Sequence, residues 1–204
     1  MGSMPALSVI VPTYNEALNL PILAWLLHEH LHGLVDYEVV VVDDASPDGT
    51  ADVAMRLAAS MPQLRLRLVS RPGKLGLGSA YARGLAECKG GLVLLMDADL
   101  SHHPKYVPAF LARQAATQCD IVTGTRYVRG GGVAGWSLSR KVVSRGANIA
   151  ASFLLGATTS DLTGSFRLYR RGVLQRLLTE TTSKGYTFQM EVIIIPFHSR
   201  SFQR

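Results

Sequence analysis

The chain has 204 residues, 48% of them hydrophobic, and 21 Lys and Arg against 15 Asp and Glu give a formal net charge of +6. That length suffices for one domain with a substantial core, and the hydrophobic fraction excludes an intrinsically disordered chain. A modest basic excess favours anionic partners such as nucleotides, phosphorylated lipids or nucleic acid, although solubility alone also accounts for it.

Apolar, β-branched runs alternate with segments of helical periodicity through the first 120 residues. In chain order, the predicted elements are a strand at 7–11, a helix at 15–31, a strand at 38–42, a helix at 51–59, a strand at 64–69, a helix at 79–88, a strand at 92–96, a helix at 104–116 and a short strand at 121–122. Ser79 is predicted to cap the third helix. This alternation predicts an α/β fold whose mostly parallel sheet carries helices on both faces.

The chain changes character after Thr125. Residues 125–137 are rich in glycine and indicate a mobile loop, and residues 138–155 are amphipathic with basic residues near their start. A polar turn and a short strand are predicted within Asp161–Arg171. We find no repeat and no linker that would divide the chain into two domains.

Cysteine spacing and hydropathy suggest a protein that faces the cytosol. Cys88 and Cys119 are far apart and form no zinc-binding pattern, so we expect two reduced thiols. We expect no signal peptide at Met1, and the charge-free run at 146–160 is shorter than the ~20 residues that span a bilayer. A protein of this kind that acts on a lipid must bind the membrane peripherally or be anchored there by a partner protein.

The strongest local feature is the pair Asp97 and Asp99, directly after the apolar strand at 92–96. On an extended chain, two carboxylates at i and i+2 point the same way, and a cation between them relieves their repulsion. Mg²⁺ or Mn²⁺ prefers such oxygen ligands and keeps positions open for a diphosphate. The alternative is an ordinary strand-ending turn with solvated acids.

Polar residues also follow the first two strands. Pro12, Tyr14 and Glu16 lie after the first strand, and Asp43 and Asp44 follow the second. Ligands of open α/β sheets bind beyond the carboxyl ends of the strands, so these residues are predicted to line one site. A carboxylate there can accept hydrogen bonds from ribose hydroxyls or from the N–H groups of a base.

Three other features carry less information. The segment around Gly76 lacks the third glycine of a dinucleotide fingerprint, and Lys74 is not part of a phosphate-binding loop. Adjacent His102 and His103 are interpreted as loop residues and not as metal ligands.

A basic cluster lies in the segment after the glycine-rich loop. Its members are Arg126, Arg129, Arg140, Lys141 and Arg145. Arg140 and Ser144 are four residues apart and share a helix face, and arginine suits bidentate capture of phosphate. A solvated basic face explains the same charges equally well. No nucleic-acid motif and no basic stripe with interleaved aromatic residues is visible, so nucleic acid is not an expected partner.

Eight segments together resemble one family. They are VIVPTYNEALNLP, VVDDASPDGT, LGLGSAYARGL, MDADLSHHP, GTRYVRGGGVAGW, SRKVVSRGAN, DLTGSFRLYRR and KGYTFQME. The chain resembles the dolichol-phosphate mannosyltransferases, which are family 2 glycosyltransferases with the Rossmann-like GT-A fold. MDADLSHHP, SRGAN and DLTGSFRLYRR are the more specific segments, and they resemble the eukaryotic type of this family. The catalytic subunit of that type is soluble, and small membrane subunits hold it at the endoplasmic reticulum. The resemblance implies a GT-A domain at 5–191 and a peripheral location on the cytosolic face of that membrane.

The resemblance implies GDP-mannose as donor, dolichyl phosphate as acceptor and inversion at the anomeric carbon, giving dolichyl phosphate mannose for glycosylation and GPI-anchor synthesis. Pro12, Tyr14, Glu16 and the Asp43–Asp44 pair would contact the nucleotide. Mg²⁺ or Mn²⁺ would be held by Asp97 and Asp99, with Ser101 where relatives often place a glutamine ligand. Catalysis would involve Asp99 and Arg126. The acceptor phosphate would be bound by Arg126, Arg140 and Ser144.

Residues 192–204 depart from the family pattern and are interpreted as an atypical, truncated tail. Two alternatives therefore stay open. One is a related transferase that uses UDP-glucose, and the other is an inactive or weakly active isoform that binds GDP or the partner subunits.

Overall fold

The structure is a computed structural model that describes residues 5–125, 161, 164–181 and 191. The predicted glycine-rich loop, the amphipathic segment and the tail at 192–204 lie outside these ranges. Within the described ranges, no helix combines the length and the hydrophobicity that crossing a bilayer requires.

Within the described residues, six strands form one sheet, and five helices cover it. The strands are β1 Leu7–Thr13, β2 Tyr37–Asp43, β3 Arg67–Ser70, β4 Leu92–Leu95, β5 Ile121–Thr123 and β6 Arg167–Arg170. The helices are α1 Asn19–Leu31, α2 Thr50–Ser60, α3 Leu77–Glu87, α4 Val107–Thr117 and α5 Arg171–Glu180. Single turns of 3₁₀ helix lie at Pro62–Leu64 and Pro104–Tyr106.

The sheet has the order β3-β2-β1-β4-β6-β5, and its first four strands are parallel. Strand β6 pairs antiparallel with both β4 and β5. The mostly parallel sheet agrees with the sequence prediction, whereas the reversed direction of β6 was not predicted.

Two apolar layers lie on opposite faces of the sheet. Alternate residues of the central strands point to each face, as strand geometry requires. On one face, Val9, Val39 and Val41 pack with helices α1, α2 and α4; on the other, Ile10, Val40 and Val42 pack with α3 and α5. Because both faces are buried, the central strands are continuous apolar runs, which is why the sequence identified them.

Helix and strand boundaries differ from the predictions where the backbone turns left-handed. Helix α1 begins at Asn19 and not at residue 15, because Asn15 has φ +61°. Strand β3 begins at Arg67 and not at residue 64, after a 3₁₀ turn and Arg65 with φ +44°. The predicted cap at Ser79 is wrong, since α3 begins two residues earlier and has no side-chain cap.

Candidate functional site

The order of the strands places a topological switch point at the carboxyl edge of the sheet, between β1 and β4. From β1 the chain proceeds outward to β2 and β3, and it then crosses back to place β4 on the other side of β1. Ligands of open α/β sheets bind at such a switch point. The loops after β1, β2 and β4 therefore form the candidate site.

The loop after β2 fixes the loop after β1. The backbone N–H groups of residues 15–17 donate to Ser46 Oγ, Thr50 Oγ1 and Asp48 Oδ2, each at 3.0 Å. The hydrogen bond from the Thr50 hydroxyl is the main reason that the pKa of Asp48 is lowered. The sequence predicted only a turn here. The Ser, Asp and Thr residues of this turn lie just before a helix, and their side chains commonly accept hydrogen bonds from backbone N–H groups there. That pattern could have predicted the supporting role.

Asp43 and Asp44 have different environments although they are adjacent. Asp43 is 2% exposed, and its carboxylate accepts hydrogen bonds from Thr13 Oγ1 at 2.9 Å, Ser46 N at 3.0 Å and Ser46 Oγ at 2.6 Å. Its oxygens are thus used to hold β1 and the turn after β2 together. This geometry favours Asp44 over Asp43 as the residue available to a ligand.

Asp44 lies in a small polar group with one aromatic ring. Arg71, which is buried, places Nε 3.3 Å from Asp44 Oδ1 and donates from Nη2 to Ser79 Oγ at 2.9 Å. Burial raises the pKa of Asp44, while the charges of Arg71 and Lys74 oppose that rise. Lys74 Nζ lies 3.4 Å from the centroid of the exposed Tyr14 ring. The Tyr14 ring can stack against a planar base, and the Asp44 carboxylate can accept hydrogen bonds from the N–H groups of that base.

The acids after β4 do not follow an extended chain. Strand β4 ends at Leu95, the backbone bends from residue 98 to 102, and Leu100 has φ +64°. The expectation that Asp97 and Asp99 project from one extended segment is therefore wrong. Asp97 Oδ2 accepts a hydrogen bond from Ser165 Oγ at 2.7 Å, and Asp99 Oδ1 accepts one from the backbone N–H of Ser101 at 3.0 Å.

Glu16 shows that the acids of these loops lie within electrostatic reach of one another. Its pKa is raised, first by burial and then by the negative charges of Asp99, Asp48 and Asp97, although a hydrogen bond from Asn19 opposes the rise. Carboxylates from three loops thus create a negative potential at the switch point. A cation bound there would relieve the repulsion.

The donor set suits a hard divalent cation that keeps several ligand positions for other molecules. Asp97 and Asp99 offer carboxylate oxygens, which Mg²⁺ and Mn²⁺ prefer. Among the described residues, no group of three or more His, Cys, Asp and Glu side chains could hold a metal ion. Two carboxylates, with a substrate diphosphate and water as the remaining ligands, would fit the usual binding of Mg²⁺. Ser101 is exposed beside them.

Sequence reasoning missed two residues that contact Asp97. His102, interpreted as a plain loop residue, accepts a hydrogen bond at Nδ1 from the backbone N–H of Asp97 at 3.0 Å. Ser165 lies far away in sequence, and no local pattern connected it with Asp97. The predicted acceptor-site residues Arg126, Arg140 and Ser144 lie outside the described ranges.

Comparisons with known proteins agree with this arrangement. The model of the family "Glycosyl transferase family 2" matches residues 8–178. The polyprenol monophosphomannose synthase of Mycolicibacterium smegmatis is 42% identical over 188 residues, which are 90% of this chain and 69% of that protein. The undecaprenyl-phosphate mannosyltransferase of Micrococcus luteus is 38% identical over 187 residues, 90% of this chain and 74% of that protein.

A solved structure shows the same architecture. The mannosyltransferase PcManGT of Pyrobaculum calidifontis, in complex with GDP-Man and Mn²⁺, superposes with a TM-score of 0.66 at 27% identity. The match covers 93% of this chain but only 52% of the other, so this chain spans about half the length of that protein. The predicted GT-A fold is confirmed.

Proposed function

The chain belongs to glycosyl transferase family 2, and from that membership we propose that it transfers mannose from GDP-mannose to a polyprenyl phosphate, specifically dolichyl phosphate. The observation that carries the proposal is the convergence of Glu16, Asp97 and Asp99 at the switch point, beside the group formed by Tyr14 and Asp44. A nucleotide-sugar site needs acids that attract a cation, and it needs a surface on which the nucleotide base can bind. The two bacterial relatives, a polyprenol monophosphomannose synthase and an undecaprenyl-phosphate mannosyltransferase, support a polyprenyl phosphate acceptor.

In this proposal, the nucleotide lies across the loops after β1 and β2. Tyr14 and the half-buried Pro12, two residues before it, contact the base. Asp44 accepts hydrogen bonds from the N–H groups of the base. Lys74 stays above the Tyr14 ring, where a cation over an aromatic face is favourable. Asp43 supports the loop instead of contacting the nucleotide, because its carboxylate is already hydrogen-bonded.

The donor diphosphate lies toward the loop after β4. Asp97 and Asp99 hold the divalent cation, Mg²⁺ or Mn²⁺, with the exposed Ser101 beside them. When bound, this cation neutralises the charge that develops on the leaving diphosphate. Glu16 adds to the negative potential that draws the cation into the site. The Mn²⁺ and GDP-Man in the Pyrobaculum structure support this assignment.

The reaction needs no strong general base. An oxygen of dolichyl phosphate attacks the anomeric carbon of mannose, the bond from that carbon to the diphosphate oxygen breaks, and GDP leaves with inversion. Since a phosphate oxygen is already anionic near neutral pH, catalysis depends on position and on charge stabilisation. In the proposal, Arg126, Arg140 and Ser144 bind the acceptor phosphate.

The proposed setting is the cytosolic face of the endoplasmic reticulum, with the protein held peripherally by small membrane subunits. The support is the resemblance of the segments at 96–104, 144–148 and 161–171 to the eukaryotic type. Because the relatives named above are bacterial, dolichyl and undecaprenyl phosphate should be compared as acceptors. Faster transfer to undecaprenyl phosphate would contradict the eukaryotic assignment.

Asp99→Ala tests the proposal. We expect the transfer of radiolabelled mannose from GDP-mannose to dolichyl phosphate to fall by at least about 10²-fold, the usual effect of removing one group that stabilises developing charge. Asp36→Ala is the control, because it removes a half-exposed carboxylate just before β2, at the opposite edge of the sheet. Full transfer by the Asp99 variant, or transfer of glucose from UDP-glucose in place of mannose, would refute the proposal.

A further inference from the structure

Two side chains hold the residue that the proposed function assigns to the cation. Ser165 Oγ donates to Asp97 Oδ2 at 2.7 Å, which joins the segment before β6 to the loop after β4. His102 Nδ1 accepts from the backbone N–H of Asp97 at 3.0 Å. No hydrogen bond from the described part of the chain uses Asp97 Oδ1, so that oxygen can face a ligand.

Both side chains are themselves held in place. Ser165 is 5% exposed, and the N–H of the preceding residue, Gly164, donates to Oδ1 of buried Asp161 at 3.0 Å. The ring of His102 stacks on Phe166, with centroids 4.9 Å apart and an interplanar angle of 7°. Packing therefore fixes the orientation of both groups before any ligand binds.

The hydrogen bond at Nδ1 also fixes the tautomer of His102. A ring nitrogen that accepts a hydrogen bond carries no proton, so the ring proton of neutral His102 is on Nε2. His102 Nε2 lies 3.7 Å from Asp97 Oδ2, the oxygen that accepts the hydrogen bond from Ser165. Both side chains thus lie on the Oδ2 side of the carboxylate and leave Oδ1 for the cation.

We propose that Ser165 and His102 are positioning residues, which orient the carboxylate of Asp97 so that its Oδ1 binds the divalent cation. The proposal rests on the metal role that the proposed function gives to Asp97. Hydrogen bonds to a ligating carboxylate fix its direction, and their loss typically weakens metal binding about 10–100-fold.

The test measures Mn²⁺ affinity in the presence of GDP, from the electron paramagnetic resonance signal of free Mn²⁺. We expect Ser165→Ala to bind Mn²⁺ about tenfold more weakly than the wild type. Ser8→Ala is a matched control, because buried Ser8 donates to the buried carboxylate of Glu38 at 2.6 Å, near the start of β1. Both variants lose a hydrogen bond from a buried serine hydroxyl to a carboxylate, but only the Ser165 variant should lose Mn²⁺ affinity. Equal weakening in both would overturn the positioning role.

Two substitutions separate the hydrogen bond of His102 from its stacking. His102→Phe keeps a ring against Phe166 but cannot accept from the N–H of Asp97, whereas His102→Asn keeps an acceptor near the position of Nδ1. We expect the Phe variant to bind Mn²⁺ more weakly than the Asn variant. The reverse order would show that stacking alone matters and would contradict the proposal for His102.

Asp97→Ala separates a failure of the metal role of Asp97 from a failure of the positioning role of Ser165. If this variant binds Mn²⁺ with GDP as the wild type does, the metal role of Asp97 and hence the proposed function fail. If it loses Mn²⁺ while Ser165→Ala retains full affinity, only the positioning role fails. Thermal unfolding of every variant shows which of them remain folded at the temperature of the titration.

Discussion

Several residues at the carboxyl edge of the sheet have an unfavourable backbone conformation, and others are acids that repel one another. Asn15, Ala45 and Leu100 have φ of 61°, 56° and 64°, and they lie in the loops after β1, β2 and β4 respectively. Left-handed backbone at a non-glycine residue costs about 1–3 kcal/mol and persists where the surroundings enforce it. The raised pKa of Glu16 adds electrostatic repulsion at the same edge. Such accumulation is typical of a binding site.

Glu16→Gln should therefore stabilise the unliganded protein near neutral pH. The amide removes a partly buried charge that Asp97, Asp99 and Asp48 repel, and its oxygen can still accept from Asn19. Urea denaturation of both proteins measures the free energy of unfolding. We expect the variant to have the larger value at about pH 7 and to gain less stability from Mn²⁺.

The pH dependence of that difference has a definite sign. Because the pKa of Glu16 is raised, the folded state binds its proton more tightly than the unfolded state. The contribution of Glu16 to stability is thus complete below its ordinary value of 4.5 and is lost as the pH rises through the folded-state pKa. At about pH 3.5 the variant and the wild type should be equally stable. A stability advantage of the variant that persists there would mean that repulsion is not its cause.

At the scale of elements, the sequence predicted the parts whose signals are local. Strands β1, β2 and β4 are continuous apolar runs, and their boundaries differ from the predictions by no more than two residues. That acids after these strands lie at one edge follows from α/β topology. The antiparallel pairing of β6 with β4 has no local signal, because it depends on a chain reversal far along the sequence.

The same reasoning explains what the sequence missed within the site. Asp43 and Asp44 look equivalent in sequence, and only the contacts of Thr13 and Ser46 with Asp43 separate their roles. The contact of Ser165 with Asp97 joins positions 68 residues apart, so no spacing rule could find it. Residue types at strand ends were predictable, but the partners of each carboxylate required tertiary structure.

Helix α3 packs so closely on the sheet that one glycine is required. A Cβ at Gly84 would lie 2.7 Å from Ile10 Cγ2 and 3.0 Å from Val42 Cγ2. Overpacking costs about 1–3 kcal/mol and should exceed the ~1 kcal/mol that alanine gains in helix propensity. We therefore expect Gly84→Ala to lower the free energy of unfolding measured in urea.

Gly172→Ala in α5 is the matched helical control for that prediction. No atom lies within 4 Å of a Cβ placed at Gly172, so this change should be neutral or raise stability by about 0.4–1 kcal/mol. If the Gly84 variant were as stable as the Gly172 variant, close contact between α3 and the sheet would not limit the residue at position 84.

At the scale of the molecule, Glu38 and Glu16, which lie near opposite edges of the sheet, differ in the charges around them. Near the amino edge, Glu38 is 3% exposed and accepts from Ser8 Oγ and Lys89 N, both at 2.6 Å, with Arg67 Nη2 at 3.8 Å. At the carboxyl edge, Glu16 shares the repulsion of its neighbours. Glu38 is thus neutralised and hydrogen-bonded by groups of the protein itself, whereas the carboxyl edge should gain stability when a cation and an anionic nucleotide bind.

That asymmetry predicts a large thermal stabilisation by the correct donor. A ligand at 100 times its dissociation constant stabilises the folded state by about 2.7 kcal/mol. For a domain of this size, each kcal/mol raises the melting temperature by about 2–4 °C, so GDP-mannose with Mn²⁺ should raise it by about 5–10 °C. UDP-glucose with Mn²⁺ at the same concentration should give a smaller rise, because the group around Asp44 is proposed to recognise guanine.

Asp97→Ala should abolish most of the rise in melting temperature, since without the cation the diphosphate would meet the negative potential of Glu16 and Asp99. A larger shift with UDP-glucose would reassign the donor, and an undiminished shift in the Asp97 variant would show that the nucleotide binds without the cation.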